Sequence, residues 1–450
     1  MGRVIDKIQN IKLVKTLTNI WRIEDLRMRI LITLLFVAIY RFGSYVVLPG
    51  IDTEALQGLR NQTEGGLMSL LDMFSGGAYS KASIFALGIM PYISASIVMQ
   101  LLGIAVPYFQ KMQREGESGR RKMSQYTRYL TVPILIFQGI FYLINLKNQT
   151  QGTALYSSLD WNMFVLYATI ILAAGSMFVL WLGERITDKG IGNGVSIIIM
   201  IGIIARFPTA VFQECDSRLK DGHGGLFMIL VEVVLFLAVI AAAILLVQGV
   251  RRVPVNYAKK IAGTRQIGGA RQYIPLKPYA ANVMPIIFAQ AIMFIPVTLA
   301  QFSGSKLNPV VMQLIDNNSF VYNLIFAILI IVFTYLYTAI TINPVQMAED
   351  MKRNNGFIPG VKPGKETADY IDKIMSRITF PGSLFLAIIA ILPAFAGILG
   401  VQREFAAFFG GTSLLILVGV VLDTLMQIES HLMMRHYDGL LDTGRVRGEH

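Results

Sequence analysis

GLMSLLDMFSGGAYSKASIFALGIMPYISASIVMQLLGIAV, residues Gly66–Val106, is too long for one membrane-crossing helix and is broken from within. A helical residue rises about 1.5 Å, so roughly 20 apolar residues cross a hydrocarbon core of about 30 Å. Leu67, Leu70, Leu71 and Phe74 fall on one helical face, so Gly66–Phe74 reads as a short helix. Ser75, Gly76 and Gly77 then interrupt it, and a full span is expected from Ala82 to Val106. A half-helix cannot cross a bilayer, and broken backbone at membrane depth must be buried in protein or line a cavity. An amphipathic loop lying on the external surface fits the same residues, and the two readings stay open at this point.

The rest of the chain repeats the apolar theme. Of 450 residues, 54% are hydrophobic and 15% charged, with mean hydropathy +0.56, against about 25% charged in soluble domains. Apolar blocks predict further spans at Ile30–Leu48, Tyr129–Leu146, Met163–Leu182, Ile191–Ala210 and Leu226–Val247. The remainder lie at Ala280–Ala300, Val321–Ile342, Phe380–Leu399 and Phe405–Leu425, giving an all-α membrane protein of ten transmembrane helices. Met1–Arg29 is polar and basic, with no short apolar core or cleavage site, so the first span is expected to direct insertion. Cys215 is the only cysteine, which excludes an intrachain disulfide and a cysteine metal site. His223, His431, His436 and His450 fall outside the spans. Metal, cofactor and enzymatic chemistry have no support.

Charge orients the chain. Of 40 Lys and Arg, 31 lie in the N-terminus, the even-numbered loops and the C-tail, 8 lie in the alternate loops, and Arg41 lies in the first span. Positive charge is retained on the cytoplasmic side, so both termini are expected there and the span count is even. Ten spans divide into two fives at the polar loop Phe207–Gly225, and an odd number per half inverts the second half. Inverted repeats tend to place the functional path between them.

Two cytoplasmic loops are large. Gly249–Tyr279 carries Arg251, Arg252, Lys259, Lys260, Arg265, Arg271 and Lys277 and no acid. Its apolar residues recur at intervals, which suits a docking hairpin, and an anchor on anionic lipid is the alternative. Asn343–Arg377 mixes signs and is punctuated by Gly356, Pro359, Gly360, Pro363 and Gly364, a tight turn structure. Its Gly-Val-Lys-Pro-Gly-Lys-Glu-Thr string fails as a phosphate loop, because Glu366 follows Lys365. Within the spans Arg41, Glu232 and Asp423 are charged, and Arg206, counted above with the loop that follows, falls at the end of the fifth. Intramembrane charges are functional candidates by default, but Arg41 and Asp423 lie near span ends, where snorkelling or structural pairing accounts for them.

Several motifs, in order, resemble the SecY family of bacterial translocase channels. They are Phe74–Ile97 (FSGGAYSKASIFALGIMPYISASI), Glu115–Lys122 (EGESGRRK), Gln125–Tyr129 (QYTRY) and Trp181–Gly194 (WLGERITDKGIGNG). Val255–Lys259 (VNYAK), Gly356–Gly364 (GFIPGVKPG) and Gly410–Ile416 (GGTSLLI) extend the match, which spans Arg27 to Tyr437. The resemblance implies two inverted five-helix halves around a central pore, residues 30–211 and 212–428, between a cytoplasmic segment 1–29 and a tail 429–450. It implies that residues 66–77, with Leu67, Leu70, Leu71 and Phe74, form a plug. Ile89, Ile93, Val195, Ile199, Ile287 and Ile416 would line a constriction, and branched aliphatic rings gate ions by dewetting. Gln100 and Gln290 would lie near a lateral gate opening to membrane lipid.

The same resemblance implies a channel for unfolded preproteins in the inner membrane, with SecE and SecG subunits. It implies that loops 249–279 and 343–377 dock the ribosome and the motor ATPase SecA through Arg251, Arg252, Lys259, Lys260 and Lys362. Family members usually carry Arg where this chain has Lys362, which exchanges a planar fork of donors for a point charge. Two rivals remain from the residues alone. A secondary transporter would need a polar site at the midplane, and none is visible. A scaffolding insertase would lack a through-pore.

Overall fold

The computed structural model describes residues 23–52, 56, 72, 74–150, 160–220, 225–257, 260–262, 265–267, 271–277, 284–290, 292–293, 313, 319–398 and 400–443. The chain divides into two compact units, Met1–Arg206 with Val420–His450, and Phe207–Gly419. The first unit ends at Arg206 and also takes the end of the last helix, from Val420.

The first unit holds α1 (Glu24–Gly43), α2 (Met90–Ala105), α3 (Pro107–Arg114), α4 (Glu117–Gln149) and α5 (Trp161–Lys189). It also takes the start of α6 (Gly194–Lys220). Its core is built where α4 and α5 pack: Leu135, Tyr142, Leu143 and Leu146 of α4 meet Phe164, Ala168 and Leu172 of α5 around Tyr79, Ala82, Ala86 and Leu87. The second unit holds the rest of α6, then α7 (Gly225–Gln248), β1 (Arg251–Tyr257), β2 (Lys260–Ala262), β3 (Arg265–Ile267) and β4 (Arg271–Leu276). It continues through helical residues 284–290 and 292–293 to α8 (Phe320–Thr341), α9 (Pro344–Arg353), β5 (Gly356–Phe357), α10 (Lys365–Ile398), α11 (Arg403–Ala406) and the first part of α12 (Gly411–Thr443).

Among the described residues, α4, α5, α6, α7, α8, α10 and α12 are each long and apolar enough to cross a membrane. The pair α2 and α3 makes an eighth if counted as one, though it bends by 101° at Val106–Pro107. Pro107 opens α3 and leaves Val106 extended, as a residue before proline prefers. The expected first span, Ile30–Leu48, overlaps α1, which starts earlier at Glu24 and stops at Gly43, and whose Arg27, Arg29 and Arg41 dilute its apolar run. The helical residues at 284–290 and 292–293 fall in the expected seventh span.

Five further boundaries are corrected, the ninth span among them, which begins at Lys365 rather than Phe380, so that the end of the expected loop Asn343–Arg377 is helix. Residues 82–88 do not begin the second span; they form turns, and the helix starts at Met90, because Gly88 takes φ +53° and Ala82 φ +46°, outside the helical region. Phe207–Gly225 is not mainly a loop, since α6 continues through Pro208 to Lys220. Glu214 and Arg218 pair inward, while Asp216 and Lys220 pair on the exposed side. The third span begins at Glu117 rather than Tyr129, so the motif Gln125–Tyr129 lies on α4. The tenth begins at Gly411 rather than Phe405, after the short α11 and a turn.

Candidate channel elements and docking surface

Asp72 and Phe74, the described end of the short helix expected at Gly66–Phe74, are helical and buried, with 1% and 7% of their surface exposed. That burial is at odds with a loop lying on the surface at this end. Leu67, Leu70 and Leu71 lie outside the described residues.

From Ser75 to Ile89 the chain crosses the interior of the first unit without regular structure, and its polar groups are met by side chains. Asp72 pairs with Arg206 of α6 at 2.9 Å, and its other oxygen accepts the Ser80 N–H at 2.8 Å. Tyr40 donates to the Ser75 carbonyl at 3.2 Å and Arg41 to the Gly76 carbonyl at 2.9 Å. Tyr142 donates to the Tyr79 carbonyl at 2.9 Å, while Val46 and Ala82 carbonyls accept from Ile84 and Leu48, both at 2.9 Å. Each bond matters here because an unmet backbone group away from water costs several kcal/mol, roughly. Gly76 is required twice over: its φ is +66°, and a Cβ would lie 2.9 Å from the Gly202 backbone. Arg41, flagged in sequence as an intramembrane charge, therefore has a structural partner in this segment.

This run delivers the chain to Ile89 and Ile93. Ile89 is buried (3% exposed) and caps α2; Ile93 lies one turn on, half-buried, its N–H on the Ile89 carbonyl at 3.1 Å. Val195 and Ile199 share a face of α6, the first half-buried and the second buried. In the second unit Ile287 is half-buried within helical residues 284–290, and Ile416 is buried near the start of α12. Gln100 lies on α2, donating weakly to Ser96 at 3.4 Å, and Gln290 is buried on the helical stretch 284–290. The side-chain carbonyl oxygen of each glutamine is buried without a hydrogen-bond partner.

The basic loop and the turn-rich loop expected on the cytoplasmic side form one body. β1 pairs antiparallel with β4, from Arg251 opposite Leu276 to Asn256 opposite Arg271. β5, from the second loop, joins the other edge of β1 at Asn256 and Tyr257. The alternation of β1 explains the assembly: Val253 and Val255 turn inward on Leu276, Met351, Ile358, Ile371 and Met375. Gly356 admits the Tyr257 ring, since a Cβ there would lie 2.8 Å from it. Arg251 and Arg252 are exposed on β1. The basic loop is thus the hairpin expected, with β2 and β3 forming its own smaller pair. Lys260 opens β2, and Lys259 lies outside the described residues. Lys362 sits in the turn before α10, its carbonyl held by Thr367 Oγ1 at 2.8 Å and its ammonium exposed, 3.7 Å from Glu366.

The sequence reading missed a buried ionic cluster in the second unit. Arg218, on the part of α6 taken for a loop, contacts Glu214 at 2.9 Å and Glu232 of α7 at 2.6 Å. It also donates to the Gly400 carbonyl at 2.9 Å, and Glu214 accepts the Gln402 N–H at 2.7 Å. Phe207 packs edge-on to Phe408 (5.2 Å) and stacks on Phe236 (5.9 Å) beside them. The available signals were the i, i+4 spacing of Glu214 and Arg218 and the intramembrane charge of Glu232. Among the described residues no cluster of metal-ligating side chains occurs.

Comparison with known proteins follows this geometry. The SecY family profile matches residues 83–425. The protein translocase subunit SecY of Halalkalibacterium halodurans is 42% identical over 435 residues, covering 95% of this chain and 99% of the relative. Among solved structures, one described as a protein conducting channel superposes with TM-score 0.60 at 17% identity, covering 94% of this chain and 95% of that one. Sec61 in the canine ribosome-channel complex from the endoplasmic reticulum superposes with TM-score 0.55 at 16% identity, covering 94% and 95%. These likenesses show the fold, ten spans in two halves.

Proposed function

The chain belongs to the SecY family, and from that premise we propose that it is the protein-conducting channel of a Sec translocase, passing unfolded preproteins across the inner membrane and releasing apolar segments laterally into lipid. The observation that carries this reading is the irregular segment from Ser75 to Ile89, buried inside the first unit and held by hydrogen bonds from α1, α4 and its own turns. Non-helical backbone at membrane depth is tolerated where it is enclosed by protein or lines a cavity. A channel needs such an element; a simple scaffold does not.

In this reading residues 66–77 plug the external side, and Ile89, Ile93, Val195, Ile199, Ile287 and Ile416 form the constriction. Aliphatic side chains seal against ions by dewetting and deform around a polypeptide of any sequence. Gln100 and Gln290 belong to the lateral gate, where unpartnered amide oxygens would meet a passing segment. Arg251, Arg252, Lys259, Lys260 and Lys362 dock a ribosome and a SecA-type motor, whose phosphate-rich and acidic surfaces suit basic charge. SecE and SecG are the companion subunits, and both termini are cytoplasmic. The test is reconstitution: proteoliposomes holding the chain, its copurified small subunits, motor ATPase and ATP should protect an unfolded preprotein from external protease. Absence of protection with a fully folded complex would contradict the reading.

A further inference from the structure

The glycine turn Gly190-Ile-Gly-Asn-Gly194 joins α5 to α6, and side chains from three helices hold its backbone. Thr33 Oγ1 of α1 accepts the Ile191 N–H at 3.1 Å. Gln427 Oε1 of α12 accepts the Gly192 N–H at 2.9 Å. Thr187 Oγ1 of α5 accepts the Gly194 N–H at 2.9 Å. The Ile191 and Gly192 donors precede α6 and the Gly194 donor opens its first turn, so none has a partner within the helix.

Each acceptor is itself oriented. Thr33 donates to the Arg29 carbonyl at 2.9 Å and Thr187 to the Gly183 carbonyl at 3.0 Å. Gln427 donates through Nε2 to the Asp423 carboxylate at 3.4 Å, which fixes its carbonyl oxygen towards Gly192. The close approach needs the glycines. A Cβ at Gly190 would collide with Thr33 Oγ1, one at Gly194 would overlap the Gly183 carbonyl, and Gly192 has φ +80°.

We propose that Thr33, Thr187 and Gln427, the last oriented by Asp423, are positioning residues that seat this turn and so fix the rotation and depth of the start of α6, the segment bearing Val195 and Ile199. α1 and α12 thereby act on α6 through hydrogen bonds to the turn's backbone. The effect on leakage rests on the constriction proposed above; the seating itself does not.

The test places Val195→Cys in a Cys215→Ser background and measures the rate of maleimide labelling in membranes. Thr33→Val and Gln427→Leu, which each remove one acceptor, should change that rate about fivefold, the population effect of losing one hydrogen bond. Thr33→Ser should restore it. Gln427→Glu keeps the acceptor but sets two carboxylates against each other, so it should behave like Gln427→Leu. The double variant Asp423→Asn with Gln427→Glu transposes donor and acceptor and should recover the parental rate. Should Gln427→Leu fail to fold, the Thr33→Val and Thr33→Ser pair decides. Parental labelling in Thr33→Val and Gln427→Leu, or no recovery in the double variant, overturns the proposal. Bilayer conductance separates it from the ring: altered labelling with unaltered conductance leaves the seating standing and counts against the ring.

Discussion

The Asp72 carboxylate lies 2.9 Å from the guanidinium of Arg206, with 2% of the aspartate side chain exposed and 20% of the arginine. Removal of the arginine leaves the enclosed carboxylate without its counter-charge, which is costly. The pair joins the buried end of the expected plug to α6, and the backbone of Ser80 depends on the same carboxylate.

Asp72→Asn and Arg206→Gln should therefore each destabilise the protein by about 2 kcal/mol. The double variant should be no worse than the more damaged single, as expected of two residues sharing one interaction. Thermal unfolding of purified protein in detergent reads all three. Additive losses would mean that the two charges act independently.

Strand β1 separates an exposed basic face, proposed above for docking, from a packing face. Arg251 and Arg252 are exposed while Val253 and Val255 are buried. Reversing both arginines to Glu should weaken ribosome and motor binding about tenfold or more at low salt while leaving folded yield unchanged, and wild-type binding should fall as salt screens exposed charge. Val255→Asp should instead disrupt the body itself. Lys362→Ala should leave stability unchanged, since exposed ion pairs contribute little. Affinity that ignores both charge reversal and salt would reduce the hairpin to a lipid anchor.

Arg218 meets two carboxylates and a backbone carbonyl while 6% exposed. Arg218→Met would leave Glu214 and Glu232 buried together without a counter-charge, at a cost of about 3–5 kcal/mol. Combining it with Glu232→Gln should recover part of that loss, because one stranded charge is removed. Detergent thermal unfolding tests the order. A single variant as stable as wild type would show that the cluster contributes nothing.

The long apolar blocks, the basic hairpin and the glycine-rich turn before α10 were legible because each rests on local pattern. The residues 82–88 were not: Ala82-Ser-Ile-Phe-Ala-Leu-Gly88 reads as helix, and only tertiary contacts hold it open, the Ile84 N–H on the Val46 carbonyl, the Leu48 N–H on the Ala82 carbonyl and the packing of α4 and α5. Phe207–Lys220 was misread for the opposite reason. Its polar residues suggest a loop until Glu214, Arg218 and Glu232 are seen to satisfy one another. Ile89, Ile93, Val195, Ile199, Ile287 and Ile416 carry no sequence signal beyond being apolar, and they stand out only through the motifs around them. Gln427 was invisible as a partner of Gly192, which lies 235 positions away.

The account depends most on those aliphatic residues sealing a path through the membrane. Planar-bilayer conductance per folded molecule should be compared among wild type, a deletion of residues 66–74, and the double variant Ile93→Asn, Ile287→Asn. The account predicts a closed wild type, small or intermittent leakage in the deletion where the ring alone remains, and a persistent leak in the double variant as the constriction wets. A double variant that folds normally and conducts no more than wild type would contradict it.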